Sequence, residues 1–160
     1  MALRIISTGG TFDKHYSAIA GSLGFADSHL AEITARVRLV APIISQTLML
    51  IDSLEMQDIH RDQILQACMA CEETKIVIIH GTDTMAETGR VLGAASLNKT
   101  IVLTGAMVPY EVTGSDALFN LGFALGVAAQ TQSGVYVAMN ARVHPWQTVR
   151  KNRAQGIFES

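Results

Sequence analysis

Five short runs of apolar, mostly β-branched residues recur along the chain, near 3–7, 46–51, 75–80, 100–104 and 134–139. They predict strands. Between them the apolar positions fall at helical spacing, as in Leu30, Ile33 and Val37 or Ile64, Leu65 and Cys68, and predict helices over about 29–38, 57–72, 84–95 and 115–130. Continuous apolar strands joined by helical crossovers imply a doubly wound, mostly parallel sheet with helices on both faces, the α/β class. With 160 residues, 49% of them apolar, the chain is long enough for one good core and short for two, so a single domain is expected. In such a sheet ligands bind outside the carboxyl ends of the strands. Four segments fall there: Thr8 to Thr11, Asp52-Ser53, Gly81 to Thr84 and Gly105-Ala106-Met107. The stretch Phe12 to Gly24 lacks a long apolar pattern and reads as a mobile hairpin or loop, a lid over the first threonine.

Two of these segments are glycine turns that carry threonines. Thr8-Gly9-Gly10-Thr11 follows the first strand, and Gly81-Thr82-Asp83-Thr84 follows the third. Glycine lets the backbone approach a ligand closely and aim its N–H groups at reacting atoms. With the residues around them, Ile5 to Thr11 and Val77 to Thr88, these turns resemble the two signatures of the bacterial-type L-asparaginases, which hydrolyse asparagine to aspartate and ammonia. The resemblance runs from Leu3 to about Phe158 and covers the N-terminal, catalytic domain of that family; the smaller C-terminal domain has no counterpart in these residues.

The resemblance implies roles for particular residues. Thr11 matches the nucleophile that forms an acyl-enzyme, with Gly10 beside it, and Tyr16 resembles the residue that closes on it. Thr82, Asp83 and Lys151 resemble a second triad in which lysine and aspartate flank a hydroxyl. A lysine desolvated in a pocket can act as a base. Taken alone, Thr11 also suits a turn or helix cap, Asp83 a helix N-cap and Lys151 a solvated charge. Ser53 matches the serine that holds the substrate's α-carboxylate, flanked by Asp52 and Leu54, although Asp52 and Glu55 also have capping-box spacing. Gly81 belongs to the binding turn, and Ala106 matches a residue whose carbonyl receives the leaving amide.

Departures from the family concern recognition more than chemistry. Leu54 stands where many long members have a glutamine on the substrate ammonium, and Val108 replaces the common arginine before Pro109. Long members also complete the site with an acid from a partner's C-terminal domain. Glu55 is the candidate substitute, two residues after Ser53. A natural short form, associating at least as a homodimer, is the expectation. The competing readings are an ammonia-supplying subunit of an amidotransferase, a non-catalytic asparagine sensor and a nucleotide-binding domain. The last lacks G-x-G-x-x-G and G-x-x-x-x-G-K-[ST].

The charge of −2 gives no basic field for nucleic acid. Arg142, Arg150, Lys151 and Arg153 cluster near the end, as a solvated tail or an anion site. Met1-Ala2-Leu3-Arg4 enters a strand without a secretory pattern, and no apolar run is long enough for a membrane, so a cytoplasmic protein is expected. Cys68 and Cys71 form a C-x-x-C inside a helical pattern and read as helix residues rather than a redox or zinc pair. His15, His29, His60, His80 and His144 lack ligand spacing along the chain, so neither metal nor cofactor is expected.

Overall fold

A computed structural model describes residues 2–160. In chain order the elements are β1 (Leu3–Gly9), β2 (His15–Ser17), β3 (Ser22–Gly24), α1 (Leu30–Arg36), β4 (Ile43–Ile51), α2 (Asp58–Ala70), β5 (Lys75–Ile79), α3 (Met85–Ala94), β6 (Thr100–Thr104), α4 (Ala117–Gln130), β7 (Gly134–Met139), β8 (Arg142–Pro145), β9 (Arg150–Asn152) and β10 (Ile157–Glu159). One sheet of order β4-β1-β5-β6-β7-β8 forms the centre, parallel except for β8. The expected α/β architecture is present, and each predicted strand and helix has its counterpart.

Successive residues of the central strands face opposite layers. Ile6, Ile76, Ile78, Ile101 and Leu103 pack with Ile64 and Cys68 of α2 and Met85 and Leu92 of α3. Ile5, Val77, Ile79 and Val102 pack with Leu30 and Ile33 of α1 and Leu121, Ala124 and Ala128 of α4. Both faces are therefore dry, which is why these strands read as unbroken apolar runs instead of alternating ones. Burying a side chain of this size contributes about 1.5–3 kcal/mol, opposed by chain entropy.

The chain leaves β1 for the edge at β4, then crosses back to β5 on the other side of β1. The direction of winding reverses between β1 and β5. A crevice opens at such a reversal, at the carboxyl ends of the strands, where both threonine turns emerge.

Three short strands were not anticipated. Asn140 and Ala141 take positive φ, 55° and 58°, and form a two-residue reversal of type I′ character that sends β8 back antiparallel along β7. The β9–β10 hairpin pairs Lys151 with Phe158, whose ring is buried in the core. The lid region contains the short β2–β3 hairpin, pairing Tyr16 with Leu23. Among the described residues no helix is long and apolar enough to cross a membrane. Cys68 is buried in α2, and burial pushes its thiol up to about 12, the state of an inert core residue.

Candidate active site

The two glycine turns touch. A Cβ on Gly10 would lie 2.5 Å from the backbone N and Cα of Gly81, and a Cβ on Gly81 would lie 2.5 Å from Cβ and Oγ of Ser53. Only hydrogen fits at either place. This contact joins the ends of β1, β4 and β5, and the Thr8 hydroxyl reinforces it by donating to the Ile79 carbonyl at 2.9 Å. Gly10 N–H donates to the Ile51 carbonyl at 2.9 Å. Thr11, half-buried, begins a single 3-10 turn over Thr11–Asp13.

Lys151 reaches into the same region from β9. Its Nζ donates to Thr82 Oγ1 at 2.7 Å and to Asp83 Oδ1 at 2.9 Å, with the lysine side chain 10% exposed. That burial rules out a solvated tail charge. Arg153 stands further out, with Nη2 3.9 Å from Asp83 Oδ1. Asp83 is not the helix cap that its position allowed, because Thr84 occupies the N-cap of α3 and bonds the Ser53 carbonyl instead. The Asp52–Glu55 capping box is likewise absent: α2 is capped by Gln57 and His60.

Asp52 accepts from Lys14 Nζ at 2.6 Å and from the Leu54 N–H at 3.0 Å. The Lys14 bond holds its carboxyl below the usual range against the opposing effect of burial, with help from the Leu54 N–H and the charge of Lys151. Ser53 is buried, whereas Leu54 and Glu55 are exposed. Ala106 is buried at the end of β6, in a loop held by Asp116, whose carboxylate accepts the N–H groups of Met107 and Val108 at 3.0–3.1 Å. Tyr16 differs from the rest. Its ring is 61% exposed, and its backbone N–H donates to Glu111 Oε1.

Several supporting residues escaped the sequence reading. Asp13 is fully buried, where its carboxylate accepts from Ser7 Oγ, from Ser28 Oγ at 3.0 Å and from the His29 N–H at 2.8 Å, fixing the chain just past Thr11. Its place two residues after the threonine was the available signal. His80 is buried beneath the second turn, its Nδ1 2.7 Å from the Gly81 carbonyl and Nε2 2.7 Å from Thr88 Oγ1. The carbonyl can only accept, so Nδ1 carries the proton. Burial pushes the imidazole down to about 4, and it stays neutral at neutral pH.

The paired threonine turns and the partly buried Lys151 thus meet at the winding reversal of the α/β sheet. The sequence matches the family described as Asparaginase, N-terminal, over residues 2–159, and the chain belongs to the asparaginase family. A probable periplasmic L-asparaginase of Haemophilus influenzae is 34% identical over 97% of this chain and 47% of its own length. The solved thermostable L-asparaginase from Thermococcus kodakarensis superposes with a TM-score of 0.89 at 30% identity, over 100% of this chain and 51% of that one. One subunit of the glutamyl-tRNA(Gln) amidotransferase of Thermococcus kodakarensis is 29% identical over 87% of this chain and 33% of its own. The chain thus spans about half the length of the L-asparaginases that it matches.

Proposed function

We propose that this chain carries the catalytic centre of an L-asparagine amidohydrolase, with little or no action on glutamine. The observation that carries this reading is Lys151 Nζ, on a side chain only 10% exposed, bonded at once to Thr82 Oγ1 and Asp83 Oδ1. A lysine nitrogen within hydrogen-bond reach of a hydroxyl has the geometry that proton transfer between them needs. In the proposed reaction Thr11 Oγ1 attacks the side-chain carbonyl carbon of asparagine while its proton is relayed through the hydroxyl of Tyr16, swung inward on the hairpin, to the leaving nitrogen. Backbone N–H groups of the glycine turns hold the oxyanion. The C–N bond breaks as the nitrogen takes up a proton, ammonia leaves, and a threonine ester of aspartate remains. Water hydrolyses the ester as its proton passes through the Thr82 hydroxyl to Lys151 Nζ in the neutral amine form, with Asp83 holding the lysine in place.

Ser53 and the adjoining N–H groups bind the α-carboxylate, and Glu55 answers the ammonium group; the motive for the latter is its exposed place beside Ser53. A Glu55→Gln variant is expected to raise KM for asparagine with kcat retained, and unchanged kinetics would remove Glu55 from the site. The likeness to an amidotransferase component favours one second reading, in which the same chemistry supplies ammonia to a partner enzyme. Ammonia release from asparagine and glutamine by the purified chain, beside Thr11→Ala and Lys151→Met, tests the proposal. Release from asparagine that both variants abolish supports it. Binding of asparagine without release turns the reading toward a sensor or a protein that needs its partner.

A further inference from the structure

Away from the threonines, a cavity of about 640 Å³ opens between the β2–β3 hairpin, α1 and the segment before α4. Thr11, Thr82 and Lys151 do not line it. His15, His29, Glu32, Arg36, Tyr110 and Glu111 do. Within it one donor atom from each of His15, His29 and Glu111 lies within 4.8 Å of the other two.

The protons in this cluster are the informative part. His15 Nε2 sits 2.8 Å from the Asp27 carbonyl, which only accepts, so Nε2 carries the hydrogen. The other nitrogen, Nδ1, faces Glu111 Oε2 at 3.2 Å. That contact is an ion pair when the ring carries both hydrogens; when it carries one, the two lone pairs converge on a place that a bound cation would fill. A ring N–H given to a backbone carbonyl is also how metal-binding histidines are oriented. His29 supplies the independent observation. It is 6% exposed, lines the cavity, and its Nε2 is buried without a hydrogen-bond partner among the described residues. An unpartnered buried nitrogen costs free energy that a ligand would recover.

The surrounding charges favour a cation. Glu32 Oε1 is already engaged by Arg36 and by the Tyr110 hydroxyl, and Oε2 stands 4.0 Å from His29 Nδ1, beyond hydrogen-bond distance. Among the described residues Glu111 is paired with no arginine or lysine. Its other oxygen accepts the Tyr16 N–H.

We infer that His15, His29 and Glu111 form a binding site for a divalent transition-metal ion of the zinc class. Two imidazole nitrogens and one carboxylate oxygen suit zinc with a fourth position left to water, whereas magnesium and calcium prefer all-oxygen shells. Bonds of about 2.0–2.2 Å place tetrahedral donors about 3.3 Å apart. Closing the spread of 4.8 Å asks for a shift of the small hairpin as a unit, which carries His15 with its side chain 31% exposed. Because His15 precedes Tyr16, an ion here ties the hairpin to α1 and to the Glu111 segment. The site shares that hairpin with Tyr16 but stands whether or not the chain hydrolyses asparagine.

Calorimetric titration of the metal-stripped chain with zinc chloride, followed by a thermal melt, is the test. The expected result is one ion per chain, a raised Tm, and binding weakened at least about tenfold in both His15→Ala and Glu111→Gln. Cys71→Ser serves as the control for thiol capture and should bind like the parent. No stoichiometric binding by the parent chain would overturn the proposal. So would binding that both cluster variants retain, or binding that Cys71→Ser abolishes. The melts of the unloaded variants show whether they fold.

Discussion

At the carboxyl ends of β1 and β5 the backbones leave no room for a methyl group, while on the β2–β3 hairpin Gly21 and Gly24 face open space. The two regions flank the same threonine. One is a floor of close contacts, with Gly10 against the Gly81 main chain and Gly81 against the Ser53 side chain, and its side chains are largely buried. The other hangs on a few polar contacts, chiefly Glu111 with the Tyr16 N–H and with His15, and His15 with the Asp27 carbonyl. Preorganised groups stabilise developing charge without reorganising during reaction, whereas a covering segment has to move. In the proposed reaction, charge and proton handling would fall to the floor and access to the hairpin.

The largest expected effect bears on the floor. Thr82→Val removes the hydroxyl and leaves Lys151 in place, and should lower kcat for asparagine by about 10²–10⁴-fold with a small change in KM. A change confined to KM would make Thr82 a binding group and move proton handling elsewhere. Next comes pH. The His80 imidazole is pushed from its ordinary 6.5 to about 4, so between these values the unfolded chain binds more protons than the folded one. Stability is fully present above pH 6.5 and declines as pH falls toward 4, by about 3 kcal/mol in all. Urea midpoints across that window measure it, and His80→Gln should flatten the profile; an unaltered profile would place the acid sensitivity elsewhere.

Smaller effects sharpen the contrast directly. Gly81→Ala puts a methyl group 2.5 Å from Ser53 and should cost about 1–3 kcal/mol, while Gly24→Ala on the hairpin, with nothing within 4 Å, should cost under about 0.5 kcal/mol. Equal losses in denaturant melts would erase the distinction between floor and hairpin. Smallest of all, Arg150→Ala breaks a pair with Glu159 in which the arginine is 74% exposed, and should change stability by at most about 0.5 kcal/mol.

Much of the fold was legible because its central strands are covered on both faces. Ile76 to Ile79 read as one apolar run, and the turn that follows is marked by Gly81, so Thr82 could be placed at a strand end from the letters alone. The β8 strand and the β9–β10 hairpin were not legible. Arg142–Pro145 and Arg150–Asn152 are polar and short, and the reversal at Asn140-Ala141 lacks the glycine that usually marks such a turn. For the same reason Lys151 was open to a reading as a solvated charge until β9 was seen paired to β10 with Phe158 in the core. Asp83 and Asp52 were ambiguous because a carboxylate at a helix start caps it as readily as it binds a lysine. Which happens depends on whether a cation arrives from far along the chain. Lys151 arrives at the first and Lys14 at the second.

The cluster of His15, His29 and Glu111 makes the point in reverse. Their separations along the chain match no metal motif, yet three donor atoms gather within 4.8 Å. Local order in the sequence, namely strand runs, helical periods and glycine turns, settled the layered architecture, the reversal-point crevice and the threonines at its edge, because those features depend on neighbouring residues and on burial. Folding in three dimensions settled the partners: Lys151 with Thr82 and Asp83, Lys14 with Asp52, Glu111 with His15. Such pairings are fixed by strand order and close packing, which bring together groups that share no sequence neighbourhood.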